Sequence, residues 1–195
     1  MSDEELVPQD GGRPDGAAAA PANPVVAPRR ARALAIPALA LVALIGASGS
    51  GKSTFAARHF KPTEILSSDA YRAIVGDDPN DQAVTNAAFD ALHHIAGLRL
   101  TLGRLSVVDA TNVKPQDRAQ LLHLAREHDV LPVAIVLNLD ERICRERNAS
   151  RTDRQFGAHV VRNQVLALRR SLRGLAREGF RYVYILNTTD EIEGA

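Results

Sequence analysis

One glycine- and serine-rich stretch of the chain reads Gly46-Ala47-Ser48-Gly49-Ser50-Gly51-Lys52-Ser53-Thr54. It fits the pattern G-x-x-x-x-G-K-[ST], in which the glycines let backbone N–H groups turn inward and hold phosphate oxygens. The apolar run 39–45 leads into the stretch, and residues with helical spacing follow it. Because the N-terminus of that helix adds positive potential, the strand, loop and helix together predict a diphosphate-binding site.

The two residues after the last glycine have separate roles in a loop of this kind. Lys52 is long enough to reach the β- and γ-phosphates of a nucleoside triphosphate, and the Ser53 hydroxyl is a ligand for Mg²⁺. We therefore predict that the residues of this loop bind ATP, or another nucleoside triphosphate, together with Mg²⁺.

Apolar runs of strand length alternate with segments of helical spacing along the chain. The runs are 39–45, 64–68, 105–109, 131–138 and 182–187, and the helical segments are 52–60, 81–102, 115–128 and 141–177. This alternation predicts an α/β fold with a parallel sheet covered by helices on both faces. A chain of 195 residues suits one domain, which we expect to span residues 34–190.

The flanks of this domain have a different composition. Residues 1–33 are rich in Pro, Gly and Ala without an apolar period, which predicts a disordered tail. At the other end we expect 188–195 to lack a regular element and 191–195 to be a flexible C-terminus. The apolar run before the loop is too short to span a bilayer, so we expect no membrane contact. The single cysteine, Cys144, is typical of a reducing compartment, so we expect a cytoplasmic protein with a buried, inert thiol.

The second apolar run is followed by Asp69, at the carboxyl edge of the predicted sheet, where ligands of open α/β folds bind. A helical turn would place Arg72 beside it. A carboxylate at this edge can accept the proton of an attacking hydroxyl, and the arginine can hold a phosphate of the acceptor. The alternative is a helix N-cap at Asp69 with a surface ion pair to Arg72.

Two further features point to the same chemistry. Asp109 ends the third run, where an acidic residue can bond the loop hydroxyl or a metal-bound water, although it could also cap a turn. Arg147 and Arg151 are four residues apart and would share one face of a helix. Placed over the loop they would neutralise charge on a transferring phosphoryl group, and the alternative is a solvated basic face.

From about residue 46 to residue 187 the chain resembles the 5′-kinase domain of bacterial polynucleotide kinase-phosphatase, a family of RNA end-healing enzymes. The resemblance implies a P-loop NTPase fold with the sheet order 2-3-1-4-5 and an arginine-bearing helical lid. It also implies transfer of the γ-phosphate to 5′-hydroxyl ends of RNA or DNA. The stretches that carry it are the loop itself, S-S-D at 67–69, D-D-P-N-D-Q at 77–82, V-V-D-A-T-N at 107–112, R-T-D-R-Q-F-G at 151–157 and E-G-F-R-Y-V-Y-I-L-N at 178–187.

The resemblance also assigns roles to single residues. It implies that Lys52 stabilises the transferring phosphate, that Asp69 is the general base on the 5′-hydroxyl, and that Arg72 grips the phosphate on the acceptor's 3′ side. Arg147 and Arg151 are implied to be the lid arginines over the donor. Members of this family also contain phosphatase and ligase-like domains, so we expect either that this chain is a fragment of a larger repair enzyme or that separate chains supply those steps.

Other functions remain open at this point. The same loop and Asp69 would serve a kinase that phosphorylates a small molecule, and the loop alone would serve a nucleotide-binding module without catalysis. No aromatic platform for base stacking is evident, so we expect any polynucleotide to be bound through its backbone near the end.

Overall fold

The computed structural model describes residues 33–152 and 156–195. Nearly all of the predicted tail 1–33 therefore lies outside the described residues. The elements are β1 (Ala40–Ile45), α1 (Lys52–His59), β2 (Ile65–Ser67), α2 (Ser68–Gly76), α3 (Thr85–Thr101), β3 (Ser106–Asp109), α4 (Pro115–Glu127), β4 (Leu131–Leu137), α5 (Glu141–Ala149), α6 (Ala158–Leu175), β5 (Tyr182–Leu186) and α7 (Thr189–Glu193), with a short 3₁₀ turn before β2.

The strands form one five-stranded parallel sheet in the order β2-β3-β1-β4-β5. At its centre Val42 pairs with Val107 of β3 on one side and with Val133 of β4 on the other. No residue of β1 is more than 1% exposed. A strand covered on both faces must be apolar at every position, which is why this run is continuous rather than alternating. The predicted fold class and sheet order are confirmed.

Helices cover both faces of the sheet and build two apolar clusters. On one face Leu92 of α3 and Leu121 of α4 pack against the strands, and on the other face Phe55 of α1 and Ile192 of α7 do so. Helix α6 is long enough to contribute to both clusters. Among the described residues, no helix combines the length and the apolar character needed to cross a membrane.

The segment 141–177 was expected to be helical throughout, but it contains two helices, α5 and α6. Helix α5 ends because the Ser150 hydroxyl donates a hydrogen bond to the Arg147 carbonyl, at 2.9 Å, in competition with the backbone ladder. The side chain of Asn148 then holds Phe156 through both of its backbone groups, with its amide nitrogen 2.8 Å from the carbonyl oxygen. Gly157 is the N-cap of α6.

The expectation that 188–195 lacks a regular element is wrong for residues 189–193, which form α7. The Thr188 hydroxyl accepts a hydrogen bond from the Glu191 backbone N–H, 3.1 Å away, and the Glu191 carboxylate accepts one from the Asn187 N–H. Ile192 fixes the helix to the domain by entering the apolar cluster of one sheet face. The T-x-x-E spacing is a helix-start signal that the sequence does contain.

Candidate phosphotransfer site

The phosphate loop, residues 46–51, joins β1 to α1 and depends on glycine at two positions. Gly49 and Gly51 have φ angles of +81° and +94°, in the left-handed region that favours glycine. A Cβ atom at Gly49 would lie 2.1 Å from the carbonyl oxygen of Cys144, so α5 packs directly on the loop. The Cys144 thiol is itself buried, and burial raises its pKa, which fits the expected unreactive thiol.

Lys52 is the first residue of α1, and its side chain turns back over the loop. Its Nζ donates hydrogen bonds to the carbonyl oxygens of Gly46 and Ala47, both at 2.9 Å. Burial lowers the pKa of the Lys52 ammonium, while the carboxylates of Asp109 and Asp69 act in the opposite direction. The Lys52 side chain is thus held against the loop, and both carboxylates predicted to work at the site favour its charged form.

Ser53 and Asp109 meet across the gap between α1 and the end of β3. The Ser53 hydroxyl donates to Asp109 Oδ2 at 2.6 Å, a short bond of the charge-assisted kind. The alternative of a turn-capping Asp109 does not describe this contact. Hydroxyl and carboxylate oxygens suit Mg²⁺, which takes few protein ligands and completes its shell with water and phosphate oxygens. The described residues contain no group of three or more His, Cys, Asp and Glu side chains able to hold a metal.

Asp69 lies in the first turn of α2, whose N-cap is Ser67, so the capping alternative does not apply to Asp69. Its Oδ1 is 2.6 Å from Nη1 of Arg72. The Arg72 side chain is only 7% exposed and that of Asp69 34%, so this pair lines a cleft rather than the outer surface. Nε of Arg72 also donates to the Thr85 hydroxyl, which ties α2 to α3.

The two lid arginines differ in placement from the expectation. Arg147 lies near the end of α5, with Nη1 3.6 Å from the position of a Cβ atom on Gly51. Arg151 follows the C-cap residue, Ser150, so the two do not share one helix. Both nevertheless line the cavity described next. The middle of the motif 151–157, residues 153–155, lies outside the described residues.

One open cavity of about 860 Å³ runs between the phosphate loop and α2. Three loop residues of the predicted set do not line it: Gly46, Ala47 and Ser50. The carbonyl oxygens of Gly46 and Ala47 instead accept the hydrogen bonds from Lys52. The predicted residues that line it are Ser48, Gly49, Gly51, Lys52, Ser53, Thr54, Asp69, Arg72, Asp109, Arg147 and Arg151. The fold therefore brings the proposed donor, metal and acceptor residues to one space.

Several residues of this cavity were missed from the sequence. Phe89 and Thr85 of α3 line it together with Asp69 and Arg72, so the lining does include an aromatic side chain. Ile192 of α7 also lines it. Gln164 of α6 lines the cavity and also bonds the phosphate loop. No local pattern marks these residues, because only the tertiary fold brings α3, α6 and α7 to the loop.

The loop after β3 is held in place by buried polar groups. Asn112 has a φ of +47° and donates from its side chain to the carbonyl oxygen of Leu44 at 2.8 Å. Arg118, fully buried, donates to the Asn112 carbonyl and is paired with Glu178. The Gly46 N–H donates to the Thr111 carbonyl, at 2.9 Å. These bonds fix the end of β3 against the phosphate loop.

Three solved structures illustrate the likeness of this chain to known folds. A chain in the structure of the Pnkp1/Rnl/Hen1 RNA repair complex is 22% identical, with a TM-score of 0.59, over 69% of this chain and 45% of that one. The APS kinase CysC of Mycobacterium tuberculosis is 19% identical, with a TM-score of 0.52, over 81% and 93%. A gluconokinase of Sinorhizobium meliloti 1021 is 18% identical, with a TM-score of 0.50, over 80% and 86%.

These likenesses establish the P-loop kinase fold, and the chain spans less than half of the chain it matches in the RNA repair complex. No curated protein matches the sequence. Residues 41–175, which include the phosphate loop, Asp69, Asp109 and both lid arginines, match the profile of a protein family described as an AAA domain. The chain belongs to this AAA domain family.

Proposed function

We propose that the protein is a polynucleotide kinase that transfers the γ-phosphate of ATP, or of another nucleoside triphosphate, to the 5′-hydroxyl of an RNA or DNA end. One observation carries the proposal. The Asp69–Arg72 pair and the group formed by Lys52, Ser53 and Asp109 line the same open cavity. A donor phosphate on the loop and an acceptor hydroxyl at Asp69 would therefore meet inside it.

The donor side of the cavity is suited to a triphosphate. Backbone N–H groups of the loop and the N-terminus of α1 point positive potential at the β-phosphate, and Lys52 would reach the β- and γ-phosphates. Ser53 directly, and Asp109 through a water, would hold Mg²⁺, which neutralises phosphate charge when bound. The Ser53–Asp109 bond of 2.6 Å already fixes both oxygens in position.

On the acceptor side, Asp69 takes the proton of the 5′-hydroxyl as its oxygen attacks the γ-phosphorus. The bond between that phosphorus and the β–γ bridging oxygen breaks, and the nucleoside diphosphate leaves. The planar guanidinium of Arg72, which bonds Asp69 and Thr85, would place its positive charge beside an acceptor phosphate. Arg147 and Arg151 neutralise the charge that develops on the transferring group.

The shape of the cavity and the charge of its surroundings fit a polynucleotide end. An open cavity admits a long acceptor, and Arg72, Arg147 and Arg151 add positive charge to its lining. Phe89 offers a ring on which a terminal base can stack, a contact worth about 1–3 kcal/mol. This ring modifies the expectation of backbone-only binding. The likeness to a chain of an RNA repair complex supports the further expectation of partner proteins in RNA repair.

A small-molecule kinase is the second candidate. The matches to the APS kinase and gluconokinase structures each cover about four fifths of this chain and most of the matched chain. Both proteins are named for small acceptors. In this alternative Arg72 would hold an anionic group of a small acceptor instead of a nucleic-acid phosphate. Both candidates use the same donor machinery, so only the acceptor separates them.

A radioactive transfer assay with Mg²⁺ and γ-labelled ATP tests the proposal. The acceptors are one short RNA and its DNA counterpart, each with a 5′-hydroxyl or a 5′-phosphate, and separately APS and gluconate. We expect label only on the 5′-hydroxyl oligonucleotides. Label on a small molecule alone, with none on either oligonucleotide, would replace the proposal by the second candidate.

A further inference from the structure

Helix α6 reaches the phosphate loop through one side chain that the proposed reaction does not use. The Ser48 backbone N–H donates to Oε1 of Gln164 at 2.8 Å. Gln164 is half-buried and lines the cavity. Because an N–H can bond only an acceptor, this contact also fixes which end of the Gln164 amide faces the loop.

The peptide unit that Gln164 holds is the one that holds Lys52. The carbonyl oxygen of Ala47 belongs to the same peptide plane as the Ser48 N–H, and it accepts the bond from Lys52 Nζ at 2.9 Å. Hydrogen bonds at the two ends of one peptide polarise and strengthen each other. Gln164 and the Lys52 ammonium are therefore coupled through a single rigid group.

Two further sets of hydrogen bonds hold helix α6, and with it Gln164, in position. About two turns farther along, the Ser171 hydroxyl donates to the carbonyl oxygen of Val113, in the loop after β3, at 3.0 Å. At its beginning, α6 is tied to α5 by the bonds between Asn148 and Phe156. One helix thus touches the phosphate loop, the loop of the predicted metal residue Asp109, and the helix that carries Arg147.

We propose that Gln164 is a positioning residue: it holds the Ala47–Ser48 peptide, and through it the Lys52 ammonium, in the orientation needed for phosphoryl transfer. Without its acceptor the Ser48 N–H is left unpaired, and the peptide is then held only through its carbonyl oxygen, which accepts from Lys52 Nζ and from the Ser50 N–H. A displacement of about 1 Å of a positioned group can reduce a reaction rate about 100-fold. The kinetic part of this inference rests on the proposed function, but the structural part does not.

Hydrogen exchange of the nucleotide-free protein tests the structural part. Gln164→Glu keeps an acceptor of the same length, Gln164→Met keeps the length without a comparable acceptor, and Asn163→Ala changes the exposed amide next to it. We expect faster exchange in peptides that cover the phosphate loop for Gln164→Met alone, with peptides of β4 unchanged in all variants as a check on folding. Equal exchange of the loop in both Gln164 variants would overturn the inference.

Steady-state kinetics of γ-phosphate transfer test the role. We expect Gln164→Met to lower kcat about 10- to 100-fold, whereas Gln164→Glu and Asn163→Ala keep kcat within about threefold. Because a carboxylate near the triphosphate repels it, Gln164→Glu should raise KM for ATP without lowering kcat to the same degree. Equal kcat losses for Glu and Met, or no loss for Met, would contradict a positioning role. If wild type transfers no phosphate to oligonucleotides, the kinetics are measured with the acceptor it does use.

Discussion

Gly49 is the residue at which the phosphate loop and α5 approach each other most closely. Its φ of +81° and the 2.1 Å gap between a Cβ atom at this position and the Cys144 carbonyl oxygen exclude any side chain without movement of the backbone. The loop conformation therefore requires glycine at position 49 for two reasons, the positive φ and the close contact with α5. The affinity of the loop for a nucleotide should depend on both.

Gly49→Ala should weaken ADP binding about 100-fold, because the added methyl group must push the loop and α5 apart. Gly103→Ala is the matched control, since Gly103 has a φ of +68° but nothing within 4 Å of the added atom. That control should lose about 1 kcal/mol of stability from backbone strain and bind ADP normally. Calorimetric titration with Mg²⁺ and ADP measures the ADP affinity of both variants. Equal affinity in the two variants would show that the close contact does not shape the site.

The side chain of Asn148 connects helix α5 to the residues that precede helix α6. Its side chain donates to the Phe156 carbonyl at 2.8 Å and accepts from the Phe156 N–H, so it closes the segment between α5 and α6. Arg147 precedes it on α5 and Gln164 follows on α6. The bonds of Asn148 thus set how the arginine-bearing helix lies relative to the helix that contacts the phosphate loop.

Asn148→Ala should lower kcat for phosphate transfer about tenfold, because the two side-chain bonds between Asn148 and the Phe156 backbone are lost and Arg147 is held less firmly. Asn163→Ala, an exposed amide on α6, serves as the control and should leave kcat unchanged. Steady-state rates with saturating ATP compare the two. A rate for Asn148→Ala equal to that of the control would mean that α5 is positioned by other contacts.

The elements differ in how readily the sequence predicts them, for physical reasons. The strand β1 was predicted to within a residue, because a strand buried on both faces is apolar throughout. The break between α5 and α6 was missed, because helical spacing continues through it while local side-chain bonds at Ser150 and Asn148 stop the backbone ladder. The α7 helix was missed although its T-x-x-E start signal is present.

The candidate site divides in the same way. Lys52 and Ser53 are predictable because they belong to the phosphate-binding sequence motif itself. Asp69 and Asp109 are predictable because they lie at the carboxyl ends of strands of one parallel sheet. Gln164 and Phe89 could not be predicted, since no local rule says which helix face meets the loop. The sheet order itself came from the resemblance to a known family rather than from periodicity.

At the scale of the whole molecule, a buried ion pair joins the C-terminal part of the chain to its centre. Arg118 of α4 is fully buried and pairs with Glu178, with Nε 2.7 Å from Oε2, in the connection between α6 and β5. Its Nη1 donates to the Asn112 carbonyl, and Asn112 in turn bonds Leu44 at the end of β1. The site therefore rests on contacts far from it in sequence.

Glu178→Gln should destabilise the protein by about 3 kcal/mol, because it leaves the Arg118 cation buried without a counter-charge. Glu127→Gln, at an exposed position of α4, should change stability by less than about 0.5 kcal/mol. The double variant Arg118→Met, Glu178→Met should recover most of the loss, since no charge is then buried. Urea unfolding measures all three. A loss for Glu178→Gln no larger than that for Glu127→Gln would contradict this role of the pair.

Single-turnover transfer of labelled γ-phosphate to a 5′-hydroxyl RNA, with wild type beside Asp69→Ala and Asp90→Ala, tests the proposed reaction and its general base together. Asp90 is an exposed acid of α3 and serves as the control. We expect transfer by wild type and Asp90→Ala, and a rate about 10²–10⁴-fold lower for Asp69→Ala with ATP binding retained. Equal rates for Asp69→Ala and wild type would contradict the proposed role of Asp69. A wild type that binds ATP tightly but labels no RNA would contradict the proposed function.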